Sequence, residues 1–411
     1  MELKMNYQYT YFIHPFAVKE NKYQKYILSL VKNEKFNLKI FQKGKDFNLY
    51  EYFSPKMKEF LFSSFSHSKA KVEKLKELAD DTKSAILSKY PCVIFEYKLK
   101  EDIQGKTDEK GIFFKIQKIE VICFNTGICF FVMKTNIENS KYFSDLLNFN
   151  YKFRDIKGEN SLKGFDKISI QTSAFSDISK LTEFIKDVTG SDIESMKLDI
   201  DTEKFLTYSY VCIDSEAWNV NKDFEDIKYN FVKYSNFLSA DNSANLELDN
   251  SFVLSKWKYA KMGFSKQGVT LFASNADINN FTTLPDKFEN EYFYIYILNL
   301  YKKLYLKKLE NEFSNPSNLK VARKKFIEFT KNLWIQDITD DEIGSNVNYR
   351  MSKVFEIDRL YKEMNNKYDI LYKDLKVDRN FKAMIFIVML VSVLLVFNIL
   401  NYIEMIRWFL P

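Results

Sequence analysis

Two histidines in 411 residues leave little material for the commonest acid–base and metal chemistry. His14 stands before Pro15 at the end of a strand-like run, and His67 sits in the Ser-rich stretch SSFSHSKA. Neither has a cysteine or carboxylate companion at a spacing that suits a dyad or a metal set. The chain also lacks GxxxxGKS/T, a GxGxxG after a strand, HExxH, GxSxG and the DxDxDG calcium loop. No catalytic residue and no metal ligand is therefore nominated, and a non-enzymatic role is expected. Cysteine is scarce: Cys92, Cys123, Cys129 and Cys212 lie in apolar runs without CxxC spacing, as reduced core thiols do. Glycine (10) and proline (6) are few, so low-complexity linkers are not expected, and no internal repeat is evident. A formal net charge of +6 is mild for this length and points away from nucleic acid as a partner. The beginning, MELKMNYQYTYFIHPFAV, mixes charges with aromatics and does not read as a signal peptide.

What the chain does have is one long apolar run. AMIFIVMLVSVLLVFNIL, residues 383–400, holds eighteen residues without a charge, interrupted only by Ser392 and Asn398. As a helix it measures roughly 27 Å, and with Asn401 to Ile403 it matches a hydrocarbon core of about 30 Å. A transmembrane helix over 381–403 is expected, with a short tail over 404–411. Lys373, Lys376, Arg379 and Lys382 crowd its N-terminal side, whereas Arg407 follows it. That asymmetry predicts a single span in a bacterial cell membrane with the N-terminal domain in the cytoplasm.

Residues 1–285 alternate strand-like and helix-like segments. YQYTYFI reads as a strand, SKAKVEKLKELADDTKSAILSKY as a helix ended by Pro91, and PCVIFEYKL as a strand. FFKIQKIEVICFNTGICFFVMKTNI predicts a hairpin turning at Asn125-Thr126-Gly127, its inner ends apolar enough to be buried on both faces. SDISKLTEFIKDVTG predicts a helix closed by Gly190, and SFVLSKWKYAKMGFSKQGVTLFAS a second strand pair. The expected fold class is an α+β (mixed α/β) cytosolic sensor domain, a helical region over 286–380, and one C-terminal transmembrane helix.

In the helical region, DKFENEYFYIYILNLYKKLYLKKLENEF is apolar on most faces and predicts a helix packed between neighbours, broken at Asn315-Pro316. Further on, Val347, Val354, Tyr361, Tyr368 and Leu375 recur every seven residues, with Ile357, Met364 and Leu371 at the companion positions. This 3-4-3-4 spacing predicts a coiled-coil seam between copies of the chain. Without a Gly or Pro between seam and span, a single helix of about 60 residues, roughly 90 Å, is expected. Asn398 and Asn401 share one face of the span, which could turn toward a pore or toward a neighbouring span.

Two stretches offer ligand chemistry. LLNFNYKFRDI sets Asn148, Asn150, Lys152 and Arg154 among aromatics, a combination that can stack a base and hold a phosphate, or else form an amphipathic strand with its aromatics in the core. KMGFSKQG, with Lys266, is a second anion-site candidate. No cofactor is evident.

The layout of a cytoplasmic α/β domain, antiparallel helices and a stalk helix entering the membrane resembles CorA-type divalent-cation channels. That resemblance implies a homopentamer with stalk helices lining a pore, and a divalent cation as the transported ion. Where the family carries Gly-Met-Asn, this chain reads NILNYIEMI, and the eleven residues from Asn401 are too short for a second span. It is similar in this to divergent CorA-like proteins without the signature in bacterial antiviral systems, among them accessory membrane effectors of type III CRISPR loci. These imply a nucleotide-type small-molecule ligand and a membrane pore or lesion as output. A tail-anchored scaffold is the remaining alternative.

Overall fold

The computed structural model describes the chain except residues 1, 42–46, 63–73, 76, 100–102, 108–111, 157–167, 173–174, 191–193, 196–203, 244–251, 315–318, 335–336 and 410–411. His67, Val72 and the Asn315-Pro316 break lie outside the described residues, as do the side chains of residues 372–381, Leu375 included.

Among the described residues thirteen strands join one sheet. Its main path begins with β11 (Val253–Trp257), β12 (Ala260–Ser265) and β13 (Gly268–Ser274) and continues through β10 (Leu206–Ile213) and β1 (Met5–Ala17). It then passes β6 (Ile128–Ile137), β5 (Ile112–Phe124), β4 (Ile103–Thr107), β7 (Ile168–Thr172) and β8 (Phe175–Lys180). Beside this path, β2 (Phe36–Leu38) pairs with β3 (Cys92–Tyr97), β3 with β5, and β9 (Glu194–Ser195) with β1. The pairings are antiparallel apart from β10 with β13.

The helices are α1 (Tyr23–Lys32), α2 (Phe47–Tyr52), α3 (Pro55–Leu61), α4 (Asp80–Leu87), α5 (Phe143–Phe153) and α6 (Leu181–Thr189). They continue with α7 (Lys228–Ser235), α8 (Thr283–Lys287), α9 (Phe293–Phe313), α10 (Leu319–Phe329), α11 (Glu342–Val354) and α12 (Ile357–Phe409). The chain is thus mixed α/β with a C-terminal helix, as its alternating patterns predict.

The period-two rule explains how β1 serves two layers. Phe12 points to α5, packing on Phe149 and Phe153, while Tyr9 and Tyr11 point to the other face. There Tyr9 and Tyr11 join Tyr208 and Tyr210 of β10 under the Phe288 and Phe293 rings. Their hydroxyls hold the segment that leads into α9: Tyr9 donates to Pro285 O at 2.8 Å, Tyr208 to Phe288 O at 2.6 Å, and Tyr11 to Glu289 Oε1 at 2.6 Å. Tyr210 donates to Asn280 O. Residues 288–292 form a π-helical turn between α8 and α9. A buried phenol without a partner costs on the order of 1–3 kcal/mol, so these four tyrosines select this placement over others.

The predicted hairpin is present, with Gly127 at φ 81°. A Cβ on Gly127 would stand 2.1 Å from Val18 O, so the turn demands glycine on both grounds. The inner ends of β5 and β6 are buried on both faces. The four cysteines are free and buried.

Several segments differ from their sequence patterns. NYKFRDI is not a strand: it finishes α5, because Leu146, Leu147, Phe149, Asn150 and Phe153 share a buried helical face. SDISK joins β8, so α6 begins at Leu181 while Gly190 stops it at φ 90° as predicted. The helix expected over 68–90 is interrupted at Ala79, and α4 starts only at Asp80.

The single rod expected over 345–400 is also corrected. α11 ends at Val354, Glu356 takes φ 57°, and α12 starts afresh at Ile357. The break is held locally. Phe355 is buried beside Tyr296 and Lys303, and Glu356 accepts from Lys266 Nζ at 2.8 Å.

The chain forms two compact units, residues 1–307 with 328–357, and residues 308–327 with 358–411. The division does not fall at 285, because the first half of α9 is buried in the first unit. In the second unit the heptad residues meet their own chain. Phe326 of α10 packs on Tyr361 and Tyr368 with centroids 5.5 and 5.6 Å away, and Arg323 Nε donates to the Tyr368 hydroxyl at 3.3 Å. Lys367 pairs with Glu310 at 2.5 Å, and Lys325 with Glu312 at 2.9 Å. Val354, Ile357 and Met364 are buried and Leu371 half-buried within the single chain. The 3-4-3-4 pattern therefore needs no second copy to explain it.

Residues 382–403 of α12 are long and apolar enough to cross a membrane, and none of this stretch is buried. Ser392 Oγ donates to Val388 O at 2.8 Å inside the helix, while Asn398 and Asn401 are exposed.

Candidate functional site

Three of the residues singled out for ligand chemistry, Asn148, Asn150 and Arg154, make their hydrogen bonds inside the fold. Asn150 Oδ1 accepts from Thr10 Oγ at 3.0 Å, and its Nδ2 donates to Ser209 Oγ at 3.1 Å. Asn148 Oδ1 caps the backbone N–H of Ala240 at 3.0 Å. Arg154 is buried over the Phe237 ring; its Nε donates to Phe205 O at 3.2 Å and its Nη1 to Gln267 Oε1 at 2.5 Å. Lys152 is half-buried on the same helix, and Lys266 is exposed in its pair with Glu356. The structure brings the α5 residues together only as core supports.

A cavity of about 390 Å³ opens instead at the tip of the β5–β6 hairpin. Its wall is aromatic. Phe124, the last residue of β5, stacks on Tyr301 of α9 with centroids 4.0 Å apart, and Tyr301 stacks on Tyr305 at 5.7 Å and 9°. Tyr305 meets Phe329 of α10 at 5.5 Å, and Phe60 of α3 meets Tyr301 at 5.7 Å. Tyr301 and Tyr305 are one helical turn apart, which aligns their rings on one face of α9.

Polar groups edge this wall. Asn125 and Thr126 come from the hairpin turn, Lys56 and Glu59 from α3, Glu328 from α10 and Asn332 from the π-helical turn 330–334. Burial pushes the Tyr301 phenol up; the Thr126 hydroxyl works against that, and Cys92 and Glu20 add to it. Tyr301 is accordingly a neutral donor at physiological pH. Stacked faces with amides, one ammonium and the Glu59 and Glu328 carboxylates at the rim can receive a planar polar group.

Two charge networks lie elsewhere in the first unit. Glu120, 1% exposed, is paired with Lys39 at 2.9 Å and Lys118 at 3.1 Å. Burial pushes its carboxyl up, but the two ammoniums outweigh that and bring it down to about 2. Glu289 accepts from Lys134 at 2.7 Å as well as from Tyr11. Burial raises Glu289, and Lys134 and Tyr11 lower it further than burial lifts it. Among the described residues, no three His, Cys, Asp or Glu stand close enough to hold a metal ion together.

Tyr301 and Tyr305 escaped the sequence pattern because α9 is apolar on most faces, and Asn332 because it lies in a turn beyond α10. The available signal was the tyrosine itself: a buried phenol in a packed helix requires a polar neighbour. Comparison with protein-family models, with curated proteins and with solved structures yields no match to this chain.

Proposed function

We propose that the chain is a membrane-anchored receptor whose cytosolic body binds a nucleotide-type ligand at the hairpin tip and passes that event to its C-terminal helix. The single observation that carries this reading is which helices line the cavity. α9 and α10 supply Tyr301, Tyr305, Glu328 and Phe329, and both run on from residues of the first unit into residues of the second, which contains α12. A ligand that prefers one setting of α9 and α10 shifts the population of that setting by its differential affinity and no more.

The layout's resemblance to CorA-type channels and to their divergent antiviral relatives supports a membrane pore or lesion as the output, formed by several copies. The cation excess before the span supports a cytoplasmic body beneath a bacterial cell membrane. With the heptad face occupied inside the chain, self-association falls to the span, where Asn398 and Asn401 offer amides on one face.

The test is titration of the full-length protein in detergent with AMP, free adenine and ribose 5-phosphate, followed by dye release from vesicles. Binding of AMP that weakens about tenfold or more in Tyr305→Ala and Asn332→Ala supports the reading, as does release that follows binding. Unchanged affinity in both variants refutes the cavity. Release driven by divalent cation alone favours a cation channel, and a single copy per particle without release leaves the scaffold.

A further inference from the structure

A second cleft in the first unit, of about 680 Å³, is lined by carboxylates from four separate places. Glu51 comes from the end of α2, Asp286 from α8, Glu291 from the π-helical turn, and Asp340 and Asp341 from the loop before α11, with Lys287 as the cation among the lining residues. Asp286 and Asp341 have internal partners, Asn290 Nδ2 at 2.8 Å and the Gly344 N–H at 2.7 Å. Glu291 is different. It is 8% exposed, it lines the cleft, and its Oε2 is buried without a hydrogen-bond partner.

An ionisable oxygen left in that state costs free energy that the fold does not recover, which marks a place kept for a donor from outside. We propose that this cleft binds an organic polycation of the polyamine class, one ammonium seated on Glu291 and the others spread over Glu51 and Asp340. Three considerations select this class. The carboxylates are too dispersed to hold a metal ion together, as no such trio exists among the described residues. Separated ammonium groups on a flexible chain match separated carboxylates. The Tyr52 ring lines the same cleft and offers a face to a cation or its methylenes.

Glu291 also sets the pH at which such a ligand is accepted. Burial pushes its carboxyl up to about 7, Lys287 pulls it down, and Asp341 and Asp286 push it up again; Glu51, Asp340, Tyr52 and Tyr292 are the other titratable groups around it. A cation needs the ionised form, so binding strengthens as pH rises through that value and is coupled to loss of a proton.

The experiment is calorimetric titration of the full-length protein in detergent with spermidine, and separately with magnesium at matched ionic strength. Spermidine is expected to bind at about pH 8 and at least about tenfold more weakly at about pH 6. Glu291→Gln should weaken binding at the higher pH and flatten the pH dependence. Glu51→Gln with Asp340→Asn, both exposed positions, should weaken it without touching the buried carboxyl. Absence of spermidine binding, equal affinity in both variants and wild type, or magnesium binding more tightly than spermidine would each overturn the proposal. The nucleotide cavity plays no part in this test, and its variants should bind spermidine as wild type does.

Discussion

Tyr301 lies flat against Phe124, 4.0 Å between centroids and 17° between planes, so the tip of the central hairpin and the middle of α9 share one surface. Both residues are buried; Tyr301 lines the hairpin-tip cavity and Phe124 backs it. Tyr301→Ala opens a void there and is expected to cost about 3–5 kcal/mol, as aromatic truncations in cores do. Tyr301→Phe keeps the ring and loses the hydroxyl that meets Thr126, costing about 1 kcal/mol. Thermal unfolding of the three proteins checks the ordering; equal loss in both variants would show the hydroxyl, not the stack, to matter.

Three buried groups set how stability depends on pH. His14 is buried, and burial alone lowers it from 6.5 to about 4. The unfolded chain takes up that proton more readily, so His14's contribution is complete above about 6.5 and lost as pH falls toward 4. Glu120, lowered from 4.5 to about 2, contributes above 4.5 and fails as pH falls toward 2. Each is worth on the order of 2–3 kcal/mol. Glu291 acts oppositely: raised from 4.5 to about 7, it favours the folded state below 4.5 and loses that advantage as pH rises through 7. Between about pH 8 and 4 the His14 and Glu291 shifts oppose each other, so denaturant midpoints should change little for wild type, rise as pH falls for His14→Gln and decline for Glu291→Gln.

The heptad residues give a sharp contrast. Met364 is 2% exposed inside one chain, and Tyr368 touches Phe326 and Arg323 of that same chain. Met364→Glu buries an unpaired charge and should destabilise the second unit by about 3 kcal/mol or more. Tyr368→Ala should loosen it by less. Both effects are to be read as lost helicity in a melt. Were Met364→Glu to leave the melt intact and only reduce the particle mass, the seam would be an interface after all.

Much of the fold could be read from the residues because local chemistry and tertiary context agree there. The Asn125-Thr126-Gly127 turn, the buried runs on either side of it and the Gly190 stop are such places. α5 was misjudged because Asn148, Asn150 and Arg154 look like ligand groups when their partners, Ala240, Thr10, Ser209 and Gln267, are far away in sequence. The heptads are ambiguous for a related reason: a seven-residue period reports an apolar stripe but not whose helix covers it. The candidate cavity was illegible, since its wall is assembled from a turn and three helices that no local window contains.

The non-glycine residue Glu356 sits at φ 57°, a conformation that costs L-residues roughly 1–2 kcal/mol. Its pair with Lys266 is exposed and offsets little of that. Glu356→Gly is therefore expected to raise stability by about 0.5–1 kcal/mol, measured as a higher unfolding midpoint. A lower midpoint would mean that the ion pair outweighs the backbone.

That interruption also bears on how the chain passes between its two compact units. The three points where the backbone leaves one compact unit for the other are not equivalent: two fall within the helical ladders of α9 and α10, and the third comes one residue after the φ 57° break. What α12 has beyond that break is support on its flank, where Phe326 packs on Tyr361 and Tyr368.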